Sequence, residues 1–99
     1  MDLPITVDSD ALADFCKRHH LTKVAFFGSV LTDRFRPDSD VDVLFEYAPN
    51  HVPTLFDIAE MEFELSEIIG RRVDMRTRED LSHLFRDEVE AKALVQYGE

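Results

Sequence analysis

A glycine-serine pair followed at a set distance by two aspartates constrains this chain more than any other feature. Gly28 and Ser29 end a short apolar run at residues 24–27, and Asp40 and Asp42 follow after ten intervening residues. Side chains at positions i and i+2 of a strand project from the same face, so the two carboxylates converge on one region. Such a pair requires a cation, and carboxylate oxygens favour magnesium or manganese. The pattern therefore predicts a strand that ends at a glycine turn, beside a metal and nucleotide-triphosphate site.

Length and charge limit what such a site can serve. With 99 residues the chain is expected to form a single domain, residues 1–99, without room for a separate acceptor-binding domain. Its 21 acidic and 11 basic residues give a net charge of −10, which repels a phosphate backbone. Nucleic acid is therefore not expected as the acceptor, unless a local basic groove exists. An acidic surface instead suits a basic protein partner.

The cysteine content and the absence of long apolar segments predict a soluble cytoplasmic protein. Cys16 has no partner for an internal disulfide and falls in a helical pattern, where a buried reduced thiol is expected. Residues 1–4 lack the basic start and apolar core of a signal peptide, and no apolar run reaches membrane-spanning length. We therefore expect no membrane partner.

Hydrophobic periodicity predicts alternating helices and strands. Helical segments are expected at residues 9–20, 30–35, 53–69 and 80–97, the last with a break near Ser82, and strands at residues 24–27, 40–47 and 71–76. A turn at residues 36–39 leads into the second strand. The long helix starts at Pro53 or Thr54 and stops before Gly70. Its core stripe is expected to comprise Leu55, Ile58, Ala59, Glu62, Leu65 and Ile69, widened by Phe56 and Phe63.

A third carboxylate completes the predicted site. If Ser29 ends one strand and Asp40 begins the next, both lie at the same end of the sheet only when those strands are antiparallel. Asp74, in the third strand, then supplies a further ligand, and three carboxylates suit two divalent ions roughly 4 Å apart for in-line nucleotidyl transfer. Gly28 lets the backbone approach a phosphate, and Ser29 adds a hydroxyl donor. One carboxylate is also placed to accept the proton of an attacking hydroxyl.

These residues resemble the nucleotidyltransferase superfamily that includes DNA polymerase beta and the aminoglycoside nucleotidyltransferases. Within it, the length and the segments RPDSDVDVLFEY, GRRVDMRTREDLS and FRDEV are similar to the minimal nucleotidyltransferases, or MNT proteins. The resemblance spans residues 22–95. It implies an α/β (α+β) nucleotidyltransferase fold, with a small mixed sheet of three to four strands flanked by helices.

The same resemblance implies the site and the partner. Asp40, Asp42 and Asp74 are expected to be the catalytic residues and the ligands of two magnesium ions, with Gly28 and Ser29 at the triphosphate of ATP. Many MNT proteins are encoded with a HEPN partner, a helical ribonuclease toxin, and act as its antitoxin by transferring AMP to a toxin tyrosine. The expected function is therefore protein adenylyltransferase and antitoxin, in a hetero-oligomer with a HEPN-type toxin.

One departure from the MNT pattern supports a rival function. Many members carry an arginine after the serine, where this chain has Val30, so that Arg34 or Arg36 is expected to contact the phosphates instead. The rival is a binding module of the same fold that neutralises its partner by docking, with weak or absent transfer.

The acidic residues also have simpler interpretations. Asp40 and Asp42 are compatible with a solvated strand end. Asp74 is compatible with an ion pair to Arg71 or Arg76.

Overall fold

The computed structural model describes residues 5–32, 34–36 and 38–98. Within them the secondary structure elements are, in chain order, α1 (Ser9–Arg18), β1 (Leu21–Phe27), β2 (Val41–Tyr47), α2 (Leu55–Ile69), β3 (Val73–Arg76), α3 (Arg86–Lys92) and β4 (Leu94–Tyr97). Short 3-10 helices follow β1 at Gly28–Leu31 and β3 at Arg78–Asp80.

The four strands form one mixed sheet in the order β3-β2-β1-β4. Strand β1 runs antiparallel to both β2 and β4, while β2 and β3 are parallel. Phe27, at the end of β1, pairs with Asp42 near the start of β2. The predicted antiparallel arrangement is therefore confirmed, and the predicted α/β fold with a small mixed sheet is correct.

The hydrophobic core lies between one face of the sheet and helices α1 and α2. Phe15 of α1 and Leu65 of α2 are fully buried in one cluster with Phe26 and Phe45 of the sheet. The opposite face is also covered at its centre, since the register neighbours Ala25 and Leu44 are buried but do not belong to that cluster. Neighbours across a sheet point to the same side, so Phe27 and Asp42 share this second face.

Side chains and glycine define the helix ends, and the predicted stop of the long helix before Gly70 is confirmed. The Asp8 carboxylate accepts hydrogen bonds from the first-turn amides of α1. Thr54 and Asp57 form a reciprocal capping box at the start of α2. Gly70 ends α2 in the left-handed conformation, with φ 78°.

The prediction of one long C-terminal helix at residues 80–97 is wrong. A seven-residue helix, α3, is followed by strand β4, which pairs with β1. The short apolar pair Leu94-Val95 fits either a helix or a strand locally, and the unpaired edge of β1 decides for the strand. The helix predicted at residues 30–35 is instead a 3-10 turn over Gly28–Leu31.

The predicted core stripe of α2 is partly wrong. Leu55, Phe56 and Phe63 are 85%, 88% and 70% exposed. Leu65 and Ile69 are buried as predicted, together with Met61, whereas Ala59 is exposed. The sequence pattern is ambiguous here because apolar residues occur on both sides of the helix.

Some predictions fall on residues that the structure leaves undescribed. The prediction that residues 1–4 are not part of a signal peptide falls outside the described residues. So do Pro37, in the predicted turn at 36–39, and Asp33, in the predicted helix at 30–35. The turn itself is closed by the Ser39 amide, which donates to the Arg36 carbonyl at 3.0 Å. Across the described residues, no helix has the length and apolar character needed to cross a membrane.

Candidate active site

Two of the three predicted carboxylates face each other across adjacent strands. Asp42 on β2 and Asp74 on β3 are direct partners in the parallel register. Both are intermediate in exposure, on the sheet face that Leu44 and Ala25 cover further along. Asp40, the third carboxylate, lies exposed immediately before β2. The fold thus gathers the acidic residues at one end of the sheet, as the sequence predicts.

The glycine loop meets this acidic pair through direct contact. Gly28 has φ +77°, which side-chain-bearing residues rarely adopt. A methyl group built on Gly28 would overlap the Asp42 carboxylate and lie 3.3 Å from its Cγ atom. Glycine at position 28 is therefore required twice, by the backbone conformation and by the nearness of Asp42.

Burial and neighbouring negative charges surround the Asp42 carboxyl. Partial burial raises the pKa of the Asp42 carboxyl first, and the neighbouring charges of Asp74 and Asp40 raise it further. The nearby Arg76 guanidinium lowers the same pKa and so opposes this trend. A carboxylate in such surroundings is stabilised by a cation.

Arg76 provides that positive charge in the present conformation. Its Nε and Nη2 atoms donate to Oδ2 of Asp74 at 3.2 and 3.1 Å. Across the described part of the chain, no three acidic, histidine or cysteine side chains are grouped so that they could hold a metal ion. The donor set nevertheless fits magnesium, because carboxylate oxygens are hard ligands and the guanidinium already places a cation on Asp74. Of the two simpler partners predicted for Asp74, the structure selects Arg76.

Helix α2 holds the edge strand that carries Asp74. The Glu62 carboxylate accepts a hydrogen bond from the Met75 amide at 2.7 Å. The Ser66 hydroxyl accepts one from the Val73 amide at 3.0 Å. These bonds give the backbone amides on both sides of Asp74 a hydrogen-bond partner. Glu62, which was predicted to be part of the core stripe, therefore helps to position β3.

The residues predicted to contact phosphate differ in placement. Ser29 follows Gly28, and its hydroxyl makes no hydrogen bond to the part of the protein that is described. Val30 is only 1% exposed, because its side chain packs into the core. Arg34 and Arg36 are exposed on the loop between β1 and β2. Their phosphate contact stays a prediction.

Arg71 stabilises the loop before β2. Its Nη2 atom donates to the carbonyl of Arg36 and, at 3.0 Å, to that of Ser39. Its guanidinium also lies over the Phe35 ring, 4.4 Å from the centroid. Arg71 therefore stabilises the segment that precedes Asp40, and it does not pair with Asp74 in this structure.

An apolar cavity opens beside the glycine loop. Its volume is about 410 Å³, and Phe27, Gly28 and Leu31 form one wall. Val89 and Lys92 of α3 form the opposite wall. This space adjoins the point where the loop meets Asp42.

Two residues with a role at the site were not singled out from the sequence. Arg76 was interpreted as a solvated or paired charge, and Glu62 as a member of the core stripe. The alternation of a strand places Arg76 on the face of Asp74, which is a signal the sequence contains. No sequence signal indicates that Glu62 reaches the Met75 amide, since that contact depends on how α2 crosses β3.

Comparisons with known proteins show the family and the fold of this chain. The profile of the family described as the nucleotidyltransferase domain matches residues 9–95. A solved structure of a candidate minimal nucleotidyltransferase is 32% identical, with a TM-score of 0.70, and the match covers 87% of this chain and 86% of that one. A Methanocaldococcus jannaschii relative, named as a candidate protein adenylyltransferase, is 28% identical over 73% of this chain and 75% of its own length.

More distant structures share the fold. One contains the MNT antitoxin of Shewanella oneidensis in complex with its tri-AMPylated HEPN toxin. That match has a TM-score of 0.65 and 16% identity, covering 92% of this chain and 70% of the other. Three further relatives, named as protein adenylyltransferases or as candidates for that activity, are matched over 64% of their length.

Proposed function

The chain belongs to the nucleotidyltransferase domain family, and because Asp42 and Asp74 face each other beside Gly28, we propose that it is a magnesium-dependent protein adenylyltransferase. It transfers AMP from ATP to a tyrosine of a HEPN-type toxin and thereby acts as an antitoxin. The observation that carries this proposal is the Asp42–Asp74 register at the glycine loop. The AMPylated toxin found with a protein of the same fold supports the choice of acceptor.

The residues of the site divide the tasks of the proposed reaction among them. Asp40, Asp42 and Asp74 would hold the magnesium ions, which would supply charge stabilisation at the phosphates. Gly28 brings backbone amides close to the triphosphate, and the Ser29 hydroxyl donates to it. A carboxylate of the acidic group accepts the proton of the tyrosine hydroxyl. The tyrosine oxygen then attacks the α-phosphorus, and pyrophosphate leaves.

The apolar cavity beside the glycine loop is the proposed binding site of the adenine base. It shares Gly28 with the phosphate loop, so a nucleotide with its phosphates on the loop would have the cavity within reach. Phe27 and Leu31 offer apolar contact to a planar ring, and Lys92 stands at the wall formed by α3.

The function is tested by co-expressing the chain with the proposed HEPN-type partner and measuring the intact mass of that partner. We expect a mass increase of one or more adenylyl groups. Asp42→Asn should reduce the rate of transfer by roughly 100-fold or more, because a proposed ligand of the magnesium that stabilises the transferring phosphate is lost. Asp38→Asn, an exposed aspartate two residues before Asp40, is the matched control and should retain transfer. Full neutralisation of the partner without any mass increase would instead identify the docking module.

One observation supports that second candidate, a protein that neutralises its partner by docking. Phe56 and Phe63 are two helical turns apart and lie opposite the buried side of α2, with Glu60 and Glu67 exposed between and beside them. We call these four residues the outer face of α2. Exposed aromatic side chains in one stripe are characteristic of protein contact surfaces.

The charge of this face indicates the kind of partner it suits. Helix α2 has five acidic residues and no basic residue, and the whole chain has a net charge of −10. Two copies meeting through this face would repel each other. A HEPN-type toxin with an apolar groove bordered by arginine or lysine is therefore the proposed occupant.

Docking is tested with the double variant Phe56→Ser and Phe63→Ser in the same co-expressed complex. We expect the variant to fold normally but to lose most of its complex with the toxin in size-exclusion chromatography with light scattering. A matched double variant, Glu79→Ser with Glu46→Ser, changes exposed positions elsewhere and should retain the complex. If the isolated wild-type chain is a dimer that the phenylalanine variant dissociates, the occupant is a second copy and the toxin assignment is wrong.

A further inference from the structure

Arg76 makes a side-chain contact at the centre of the proposed active site. It follows Asp74 by two residues on β3 and donates both Nε and Nη2 to one carboxylate oxygen, Oδ2. The Arg76 side chain is 47% exposed and that of Asp74 is 35% exposed, so neither is locked in place by packing. A guanidinium held by one exposed ion pair has little net stabilisation to lose on moving away.

Two other arginines near the sheet, Arg71 and Arg78, have partners elsewhere, whereas Arg72 lines a cavity with Asp40 and makes no ion pair within the described residues. Arg71 donates to loop carbonyls. Arg78 forms ion pairs with Asp87 and Glu90 on α3. Position 30, directly after Ser29, is buried in the core and cannot present a charge to the site. Among the residues described, Arg76 is thus the arginine that is bonded to a carboxylate of the proposed site.

The register places the Arg76 side chain next to the acidic pair. Asp74 lies opposite Asp42, and Arg76 lies opposite Leu44 on the same face. Leu44 is buried, whereas the Arg76 side chain is 47% exposed and free to change its conformation. A guanidinium that leaves Oδ2 is therefore still within reach of the acidic end of the sheet, where a bound nucleotide would place its phosphates.

We propose that Arg76 is the phosphate-binding arginine of this site and that it rests on Asp74 until a divalent cation takes its place there. In the metal-free protein the guanidinium neutralises Asp74. With a divalent cation on Asp74, Arg76 is free to donate its planar fork of N–H groups to two phosphate oxygens. Arg76 would thus serve the role for which the sequence suggests Arg34 or Arg36. This inference rests on the proposed nucleotidyltransferase function.

The proposal predicts opposite effects of one substitution on two affinities. In Arg76→Met, Asp74 loses its internal competitor, so the isolated chain should bind Mn²⁺ several-fold more tightly in the absence of nucleotide. In the presence of saturating Mn²⁺ the same variant should bind an ATP analogue with a methylene bridge between the α- and β-phosphates roughly tenfold more weakly, since a charged hydrogen-bonding pair is lost. Both affinities are measured by isothermal titration calorimetry on the intact chain, after circular dichroism has verified folding.

Lys17→Met and Arg34→Met are the comparison variants. Lys17 is an exposed residue in the last turn of α1, so its removal changes the net charge equally and should leave both affinities nearly unchanged. If Arg34→Met weakens nucleotide binding and Arg76→Met does not, Arg34 has the role and the proposal is wrong.

The remaining outcomes are equally decisive. Unchanged Mn²⁺ affinity in Arg76→Met, or unchanged nucleotide affinity, overturns this inference while leaving the proposed function intact, provided that the wild-type chain binds both. A wild-type chain that binds neither Mn²⁺ nor the analogue overturns the proposed function, and the role of Arg76 with it.

Discussion

Gly28 lies directly against the carboxylate of Asp42, so the glycine loop after β1 and the acidic pair on β2 form one structural unit. A methyl group at position 28 would lie 3.3 Å from Cγ and 3.5 Å from Cβ of Asp42 and would overlap the carboxylate itself. The antiparallel pairing of Phe27 with Asp42 produces this contact. Any change that displaces the loop therefore also displaces a proposed metal ligand.

Gly28→Ala and Gly70→Ala separate backbone strain from this contact. Both glycines have φ near +78°, but a methyl group at Gly70 meets nothing within 4 Å. We expect Gly70→Ala to lower the free energy of unfolding by about 1 kcal/mol, and Gly28→Ala by 2 kcal/mol or more. Urea denaturation measures both. Only Gly28→Ala should also weaken Mn²⁺ binding. Equal losses of unfolding free energy in the two variants would show that the Asp42 side chain can move aside without destabilising the protein.

Leu65 and Phe63 should respond very differently to truncation, although both lie on α2. Leu65 is fully buried, so Leu65→Ala leaves a cavity and should destabilise the protein by about 2–5 kcal/mol. Phe63 is 70% exposed, so Phe63→Ala should change the stability by no more than about 0.5 kcal/mol. Thermal or urea unfolding gives both values. A large loss in Phe63→Ala would mean that the outer face of α2 is packed.

Glu62→Ala tests how the edge strand is held. Without the carboxylate, the Met75 amide loses its hydrogen-bond partner, and we expect a loss of about 1–3 kcal/mol. The hydrogen-exchange protection of that amide should fall at the same time. Glu60→Ala, two residues away on the exposed side of the helix, should change neither quantity.

Glu64 should make the stability depend on acidic pH. The Arg18 guanidinium, and then the His19 ring, hold the pKa of the Glu64 carboxyl below its usual range. A carboxyl whose pKa is lowered in the folded state stabilises the protein above the unfolded pKa of about 4.5, and this contribution disappears as the pH falls through the folded pKa. Glu64→Gln should therefore be less stable than the wild type at pH 6, by about 0.5–1 kcal/mol, and the difference should disappear as the pH falls through the folded pKa of Glu64. Denaturation at several pH values tests this, and a constant difference would exclude the ion pairs as its cause.

Cys16 should resist thiol reagents in the native protein. The side chain is fully buried, and burial raises the pKa of its thiol to about 12. The reactive thiolate is therefore scarce near neutral pH. We expect a disulfide-exchange reagent to modify Cys16 only as fast as the protein unfolds, with full reaction in denaturant. Rapid modification without denaturant would show that α1 opens locally.

Several features were predictable because short-range rules decide them. The capping box of Thr54 and Asp57 and the stop at Gly70 depend on residues within one turn of each other. The position of Asp42 on the strand face opposite Val41 and Val43 depends only on strand alternation. The family resemblance added the fold, and the sheet, with β1 antiparallel to β2, agrees with it.

Other features depend on contacts between distant segments. Residues 94–97 became a strand because β1 offered an unpaired edge, not because their own sequence excludes a helix. Phe56 and Phe63 face outward because one side of α2 suffices to cover the core, and the choice of side depends on how the helix packs. The bond from Glu62 to β3 likewise required the helix and the strand to meet.

The amino-acid order thus decides which residues can perform the chemistry, since glycine conformation, carboxylate donors and strand alternation are local properties. The tertiary structure decides which of them meet. It places Gly28 against the Asp42 side chain and aligns Asp42 with Asp74. It also leaves Arg76 bonded to the Asp74 carboxylate, which a metal ion would need. These relationships arise from strand register and helix crossing, which bring together residues that are far apart in the chain.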